Sequence, residues 1–392
     1  MEDVFILSSA RTPVGAFQGS LSSLTAPQLG SVAIKGALER AGITGDQVDE
    51  VLMGCVLTGG MGQAPARQAS LGAGIPNSVP CMTVNKVCGS GMKAAMLAAQ
   101  AIRLGDSRVV VAGGMESMSN APYLLDKART GYRMGNGTLI DSMIHDGLWD
   151  PYHNVHMGNC GDATAAEFGK TREALDAFAA ESYRRALDAQ ANGRLAEEIV
   201  PVAVPQRKGD PMIVETDEPP QKGDPAKLPT LRPAFSKDGV TTAANASSIN
   251  DGAAAMVLAS TSWAEANGKT PLGRLVGYAT HAQEPQWFTT APGFAIEKLL
   301  AANGLSVGDI DLFEVNEAFA VVAMVVADKV GIPHEKLNVN GGAVAIGHPI
   351  GMTGMRLMIT ALMELRRRGG RYAVCSPCIG GGEATAVLIE AL

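Results

Sequence analysis

Two stretches of this chain, about 260 residues apart, present the same local signals in the same order. Residues 42–56 (GITGDQVDEVLMGCV) and 303–315 (NGLSVGDIDLFEV) each carry a glycine helix stop, a turn, and a Val-Asp or Ile-Asp step into an apolar strand. The likeness continues downstream. Val84-Asn85, a cysteine turn, a helix and RLGDSRVVVAGGMES are matched by Val339-Asn340, a glycine-rich turn, a helix from about Met352 to Arg368, and GGRYAVCSPCIGGG. The spacing is too long for a solenoid, so the chain reads as one α/β unit per half. Alternating strands and helices predict mainly parallel sheets with helices on their faces, and ligands collecting at the carboxyl ends of the strands. The repeat also sets the Cys88 turn and the turn Gly347-His348-Pro349 at equivalent points. If the halves pack about a pseudo-twofold axis, those turns can face each other.

A chain of 392 residues exceeds one ordinary core. The expected division is an N-terminal half from 1–118 plus 250–270, a segment 119–249 that covers a site, and a C-terminal half over 271–392. VFILSS at residues 4–9 reads as a buried strand, and Ala26–Ala41 as a helix ending at Gly42. Within the middle segment, Thr171 to Asn192 is helical in pattern, whereas VPQRKGDPMIVETDEPPQKGDP (204–225) carries too many turn residues for regular core elements.

Composition narrows the function. With 46% hydrophobic and 18% charged residues, the chain has ample apolar material and is not a disordered protein. A net charge of −7 argues against nucleic acid as a partner. It does not exclude a small polyanion, which needs only a few local basic residues or helix termini. No apolar run approaches the ~18 residues of a membrane span. The opening MEDVFILSS carries acids where a secretory signal carries lysine or arginine, and the terminal Glu390-Ala391-Leu392 is no peroxisomal address. These features predict a cytoplasmic protein with six reduced cysteines. Cys375-Ser-Pro-Cys378 has C-x-x-C spacing, but no second pair accompanies it, so no metal is expected.

Val84–Gly91 (VNKVCGSG) opens onto a helix-favouring run, MKAAMLAAQAI. A cysteine at a helix N-terminus sits near unpartnered N–H groups and the positive end of the dipole, a setting that favours thiolate. The glycines admit another backbone or a ligand to the sulfur. Cys88 is thus a candidate nucleophile. The turn alone leaves open a buried structural thiol, the commoner fate of free cysteine.

Three further stretches accompany this turn: NVNGGAVAIGHPIGMTGMR (Asn338–Arg356), CSPCIGGG (Cys375–Gly382) and EVNEAFA (Glu314–Ala320). Together with GGMESMSNAPY (113–123) and DSMIHDGLWD (141–150), they resemble the thiolase family over nearly the whole chain, in particular its short-chain acetyl-CoA acetyltransferases. The resemblance implies duplicated α/β units packed as a layered αβαβα core with an inserted loop domain. It implies an acyltransferase that reversibly joins two acetyl-CoA into acetoacetyl-CoA and CoA through an acyl-cysteine. No cofactor is implied beyond coenzyme A as substrate and product. The assembly implied is a homotetramer, built through the loop after Tyr123.

By the same resemblance, Cys88 attacks the thioester, His348 takes its proton and Cys378 is the second acid/base. The N–H groups of Cys88 and Gly380 hold the acyl oxygen, while His348 and a water held by Asn316 hold the oxygen of the second thioester. Glu317 is left as an orienting or structural residue. Ser247 contacts the pantetheine, and His156, Met157, Leu148, Phe235, Ala243, Ala318 and Phe319 line the pocket. Taken singly, such Met and Phe residues are more often plain core. Ser248, Glu383 and Pro220-Gln221-Lys222 depart from the usual family pattern, and Lys222 or Arg207 is expected to meet the CoA phosphates. Trp287-Phe288 is expected to set the pocket's depth.

Other readings stay open at this level. One is a broader 3-ketoacyl-CoA thiolase, another an acyl-CoA binding protein without turnover. A third, a decarboxylating condensing enzyme, would usually pair its cysteine with two histidines, or with a histidine and an asparagine.

Overall fold

A computed structural model describes residues 2–392. The repeat seen in the sequence has a concrete structural basis. At equivalent points Thr44 and Ser306 receive reciprocal bonds that close short helical turns, with Thr44 N–H donating to Gln47 (3.0 Å) and Ser306 N–H to Asp309 (2.8 Å). The aspartates that follow do the same work in both halves. Asp49 accepts the N–H groups of Arg108 and Val109 (2.7 and 2.9 Å), and Asp311 those of Arg371 and Tyr372 (2.7 and 3.0 Å). Each Val-Asp or Ile-Asp step therefore pins the start of one strand to the start of its neighbour.

The N-terminal half contributes β1 (Val4–Arg11), α1 (Ala26–Ala41), β2 (Glu50–Gly54), α2 (Pro65–Gly72), β3 (Cys81–Val84), α3 (Ser90–Leu104) and β4 (Val109–Ser117). The middle segment carries α4 (Met157–Glu167) and α5 (Arg172–Ala191), after which β5 (Asn250–Ser260) returns to the first sheet. The second half follows with β6 (Gly273–Ala282), α6 (Ala291–Asn303), β7 (Leu312–Val315), α7 (Ala320–Val330), α8 (Ile350–Arg368), β8 (Tyr372–Ser376), β9 (Cys378–Ile379) and β10 (Glu383–Ala391). Helix α1 runs over the expected residues because its ends are encoded locally. Thr25 and Gln28 cap its start, and Gly42 closes it in the left-handed region at φ +60°.

Strand order is β1-β5-β4-β2-β3 in one half and β6-β10-β8-β7 in the other. A short antiparallel pairing of Val4–Ile6 with Gly273–Leu275 joins the two. The mainly parallel sheets expected from the sequence are not what forms. Only β2 with β3, β2 with β4, and β7 with β8 are parallel, while β5 and β10 run antiparallel to both neighbours. A parallel neighbour needs a crossover to the far end of the sheet. The long segment after β4 leaves and re-enters at the same end, where Ser117 faces Asp251. A tight hairpin joins β9 to β10.

Helices α3 and α8 form the middle of five layers. Each packs on strands of both halves, with α1 and α2 outside one sheet and α6 and α7 outside the other. Their N-termini cross at glycine. A Cβ on Gly91 would lie 2.9 Å from the Gly351 carbonyl oxygen, and one on Gly114 would lie 2.1 Å from the same atom. The crossing brings the Cys88 and His348 turns, which precede these helices, to one place. The middle segment is tied to β1 by Arg11, fully buried between Glu198 and Asp217 at 2.7 Å each. Replacing one partner of such a group would strand a charge in the interior.

Candidate active site

Cys88 stands one residue before Gly89, the N-cap of α3, in a turn held by its own side chains. Asn85 accepts the Val87 N–H (3.0 Å), and Ser90 accepts from Lys86 N–H (2.9 Å) while donating to the Val87 carbonyl (2.6 Å). These bonds hold Val87 at φ +45°, a costly conformation for a β-branched residue. Gly89 admits Ile379 from the other half, since a Cβ there would come within 2.4 Å of its Cδ1.

The backbone N–H groups of Cys88 and Gly380 lie close enough to the sulfur to pull its pKa down, but burial outweighs them and pushes the thiol up to about 11. The dipole argument from sequence is thus corrected: the resting group is a thiol, and it needs a base.

That base is within the same cavity. Gly347 adopts φ +103°, and a Cβ there would lie 2.5 Å from the Asn250 side-chain oxygen. The same oxygen accepts the His348 N–H at 2.8 Å, fixing the turn. His348 Nδ1 lies 2.6 Å from Thr353 Oγ1, whose single proton goes to the Pro349 carbonyl at 2.9 Å. The hydroxyl must then accept from Nδ1–H, leaving the lone pair on Nε2. Asn316 Nδ2 approaches that nitrogen at 3.4 Å. Burial, then the charge of Arg356, lowers the imidazole to about 3, so it is neutral and able to take a proton. We expect Thr353→Val to lower kcat roughly tenfold to a hundredfold through the wrong tautomer. Thr353→Ser should restore it, and nitrogen-15 NMR of His348 should show Nε2–H in the valine variant alone.

Cys378 is fully buried on β9, its thiol pushed well above the usual range first by burial and next by Cys88, and met by the Ala318 N–H. Asn316 follows β7, and its buried Oδ1 has no partner among the described residues. Neither is among the cavity-lining residues, but each adjoins one that is: Asn316 reaches His348, and Cys378 neighbours Cys88.

Glu317 is fully enclosed, accepting from Ser182 (2.7 Å), Asn338 (2.8 Å) and the Val344 N–H (3.2 Å). It therefore organises the segment leading to His348. A second buried carboxylate, Glu116 near the end of β4, was not singled out from sequence; it accepts the Val56, Leu57 and Gly351 N–H groups (3.0, 3.0 and 2.9 Å). Burial raises it to about 7 against those bonds. Its sequence signals were its place at the end of an apolar strand and within the GGMESMSNAPY stretch.

The cavity measures about 600 Å³. Cys88, His348 and Gly380 lie along it with Leu148, His156 and Met157; Phe235, Ala243, Ser247, Ala318 and Phe319 complete the expected lining. His156 caps α4 by accepting the Gly158 N–H (3.1 Å), and its ring stacks on Phe235 with centroids 4.6 Å apart. Ser247 donates its N–H and hydroxyl to the Ala318 carbonyl (2.9 and 3.0 Å), which joins the middle segment to the second half. Lys222 lines the cavity and pairs with Glu218 at 2.6 Å. Arg207, exposed in the loop after residue 204, does not reach it. Phe288 lines it, Trp287 does not, and Phe17, Met118, Tyr183 and Ile350 join it without having been marked by sequence. Among the described residues no cluster of His, Cys, Asp or Glu could hold a metal ion, and no helix is long and apolar enough to cross a membrane.

Comparison with known proteins agrees with this geometry. Residues 4–262 match the family model described as thiolase, N-terminal domain, and 269–391 that of thiolase, C-terminal domain. The chain is 51% identical to an acetyl-CoA acetyltransferase of Cupriavidus necator, with 100% of both covered. It is 54% identical to acetyl-CoA acetyltransferase 2 of Arabidopsis thaliana, covering 100% of this chain and 97% of that one. The crystal structure of the Acat5 thiolase from Ascaris suum in complex with coenzyme A superposes with a TM-score of 0.95 at 42% identity, covering 100% of each.

Proposed function

The chain belongs to the thiolase family, and from that premise we propose how its cavity performs the reversible conversion of acetoacetyl-CoA and CoA into two acetyl-CoA. The protein is an acyltransferase with acetoacetyl-CoA thiolase activity. One observation carries the mechanism: Cys88 and Gly380 line the same cavity as His348, an imidazole oriented by Thr353 and held neutral by burial.

In the cleaving direction, the Cys88 thiol gives its proton to His348 Nε2 as the sulfur attacks the keto carbon. The oxyanion that forms takes the place beside the two N–H groups, where a single donor contributes about 3 kcal/mol. The carbon–carbon bond breaks, the acetyl group stays on Cys88, and the departing enolate of acetyl-CoA takes the Cys378 proton. His348 and Asn316, with its unpartnered oxygen holding a water, face the enolate oxygen. The imidazolium then returns its proton to the Cys378 thiolate, an incoming CoA thiol gives its proton to the neutral His348 and attacks the acyl-enzyme, and the departing Cys88 thiolate recovers that proton from His348. Condensation is the same path reversed. Splitting the exchange at a covalent thioester replaces one hard step by two easier ones.

Ser247, His156, Met157 and the apolar lining hold the pantetheine, and Lys222 at the cavity mouth meets a CoA phosphate. No metal or redox cofactor takes part. We place the enzyme in the cytoplasm, in fatty acid metabolism, as a homotetramer. Exposed apolar side chains in the loop after Tyr123, among them Leu125, Met134 and Leu139, support the assembly. Turnover measured over 3-ketoacyl-CoA of four to ten carbons should fall steeply beyond four. Equal kcat/KM across the series would make the broader thiolase the correct reading.

A further inference from the structure

The nucleophile and the second oxyanion donor come from opposite halves, and a charged pair that the reaction does not use spans them. Lys86, two residues before Cys88, pairs with Glu383, three residues after Gly380. We propose that this pair sets the separation of the Cys88 and Gly380 N–H groups, which makes Lys86 and Glu383 positioning residues for the acyl-enzyme. The proposal rests on the thiolase reading above.

Each segment also has bonds of its own. The Cys88 turn is closed by Asn85 and Ser90, as described. The Gly380 turn is the tip of a hairpin in which Cys378 pairs with Ala384 and Ile379 with Glu383, and its Gly381 and Gly382 take φ +90° and +84°. Gly382 is further held where its carbonyl accepts the Gln283 N–H at 2.9 Å. Between the two segments, no backbone-to-backbone hydrogen bond runs among the described residues. Among what spans them are the Gly89–Ile379 and Val87–Gly380 contacts, the Gly380 N–H near the sulfur, and Lys86 with Glu383.

The anchoring is unequal, and this is why the pair matters. Glu383 is fixed in the sheet, with Ile379 on one side and Ala282 on the other. Lys86 adjoins Val87, whose strained backbone has a lower-energy conformation to relax toward. A charge pulled toward a fixed partner opposes that relaxation. The side chains are 23% and 37% exposed, so solvent screens the pair and its share in global stability is small. A geometric effect on an oxyanion hole, by contrast, falls on rate.

The test uses the full-length enzyme with Glu383→Gln, Lys86→Met and the exchange Lys86→Glu/Glu383→Lys. Acetyl-CoA carrying carbon-13 at the carbonyl is used to acylate each, and isotope-edited infrared spectra report the acyl carbonyl. We expect both single variants to lose roughly tenfold or more in kcat, with KM within about twofold and an unchanged melting temperature. Their carbonyl bands should move to higher frequency as the hydrogen bonds loosen, and the exchange should return both band and kcat toward the parent. An unshifted band in both single variants, or a kcat loss accompanied by a matching fall in melting temperature, would overturn the proposal. Parent enzyme that takes no label on Cys88 would bring down the thiolase reading itself, and with it the proposal.

Discussion

Cys88→Ala is expected to abolish acyl transfer, lowering kcat for both cleavage and condensation by at least ~10⁴-fold. The sulfur lies in the same cavity as Gly380 and the neutral base, and no other described thiol occupies the cavity lining. The fold should survive. Cys88 lines a cavity rather than filling the core and its turn is closed by Asn85 and Ser90, so loss of one sulfur should cost about 1 kcal/mol or less. Labelled acetyl-CoA should mark the parent protein on Cys88 and leave the variant unmarked; label retained by the variant would refute the assignment.

The same arrangement predicts the pH profile of the parent enzyme. Acylation starts from a neutral thiol and a neutral imidazole. Burial keeps the first protonated up to about pH 11 and the second unprotonated down to about pH 3. kcat/KM for acetyl-CoA should therefore be flat from about pH 5 to 9, falling only where acid protonates the base. A bell centred near the ordinary histidine pKa would mean that burial is relieved before chemistry.

Cys378→Ala should separate the two half-reactions. Exchange of labelled CoA with acetyl-CoA needs only Cys88 and His348, and should remain within about tenfold of the parent. Cleavage of acetoacetyl-CoA should fall by ~10²–10⁴, because the departing enolate has lost its proton donor. The residue suits that role because burial, and then the neighbouring Cys88, keep its thiol protonated in the resting protein. Loss of exchange and cleavage in equal measure would show instead that Cys378 acts in acylation.

These expectations draw on different levels of the molecule. Cys88 could be marked from its own glycine-rich turn, where missing side chains leave room for a ligand beside a reactive group, whereas His348 and Cys378 were marked through the family likeness. The cavity lining was marked residue by residue only through the family likeness, since Phe235 or Met157 alone reads as core. Glu116 escaped notice because its partners, Val56, Leu57 and Gly351, come from distant places in the chain. Lys222 was marked as a phosphate contact, but its pairing with Glu218 could not be seen beforehand. In Trp287-Phe288, adjacent residues of similar character part company at the cavity wall.

What the sequence determined by itself was whatever depends on neighbours a few positions away. The capped start and glycine stop of α1, the repeated Val-Asp and Ile-Asp steps, and the tight turns around the two cysteines and the histidine all belong here. Tertiary structure alone decided strand direction, since that depends on which end of a sheet a long segment returns to. It also decided protonation. A helix terminus favours thiolate through one local field, but desolvation by both halves of the fold is the larger effect, and it keeps Cys88 a thiol in the resting protein.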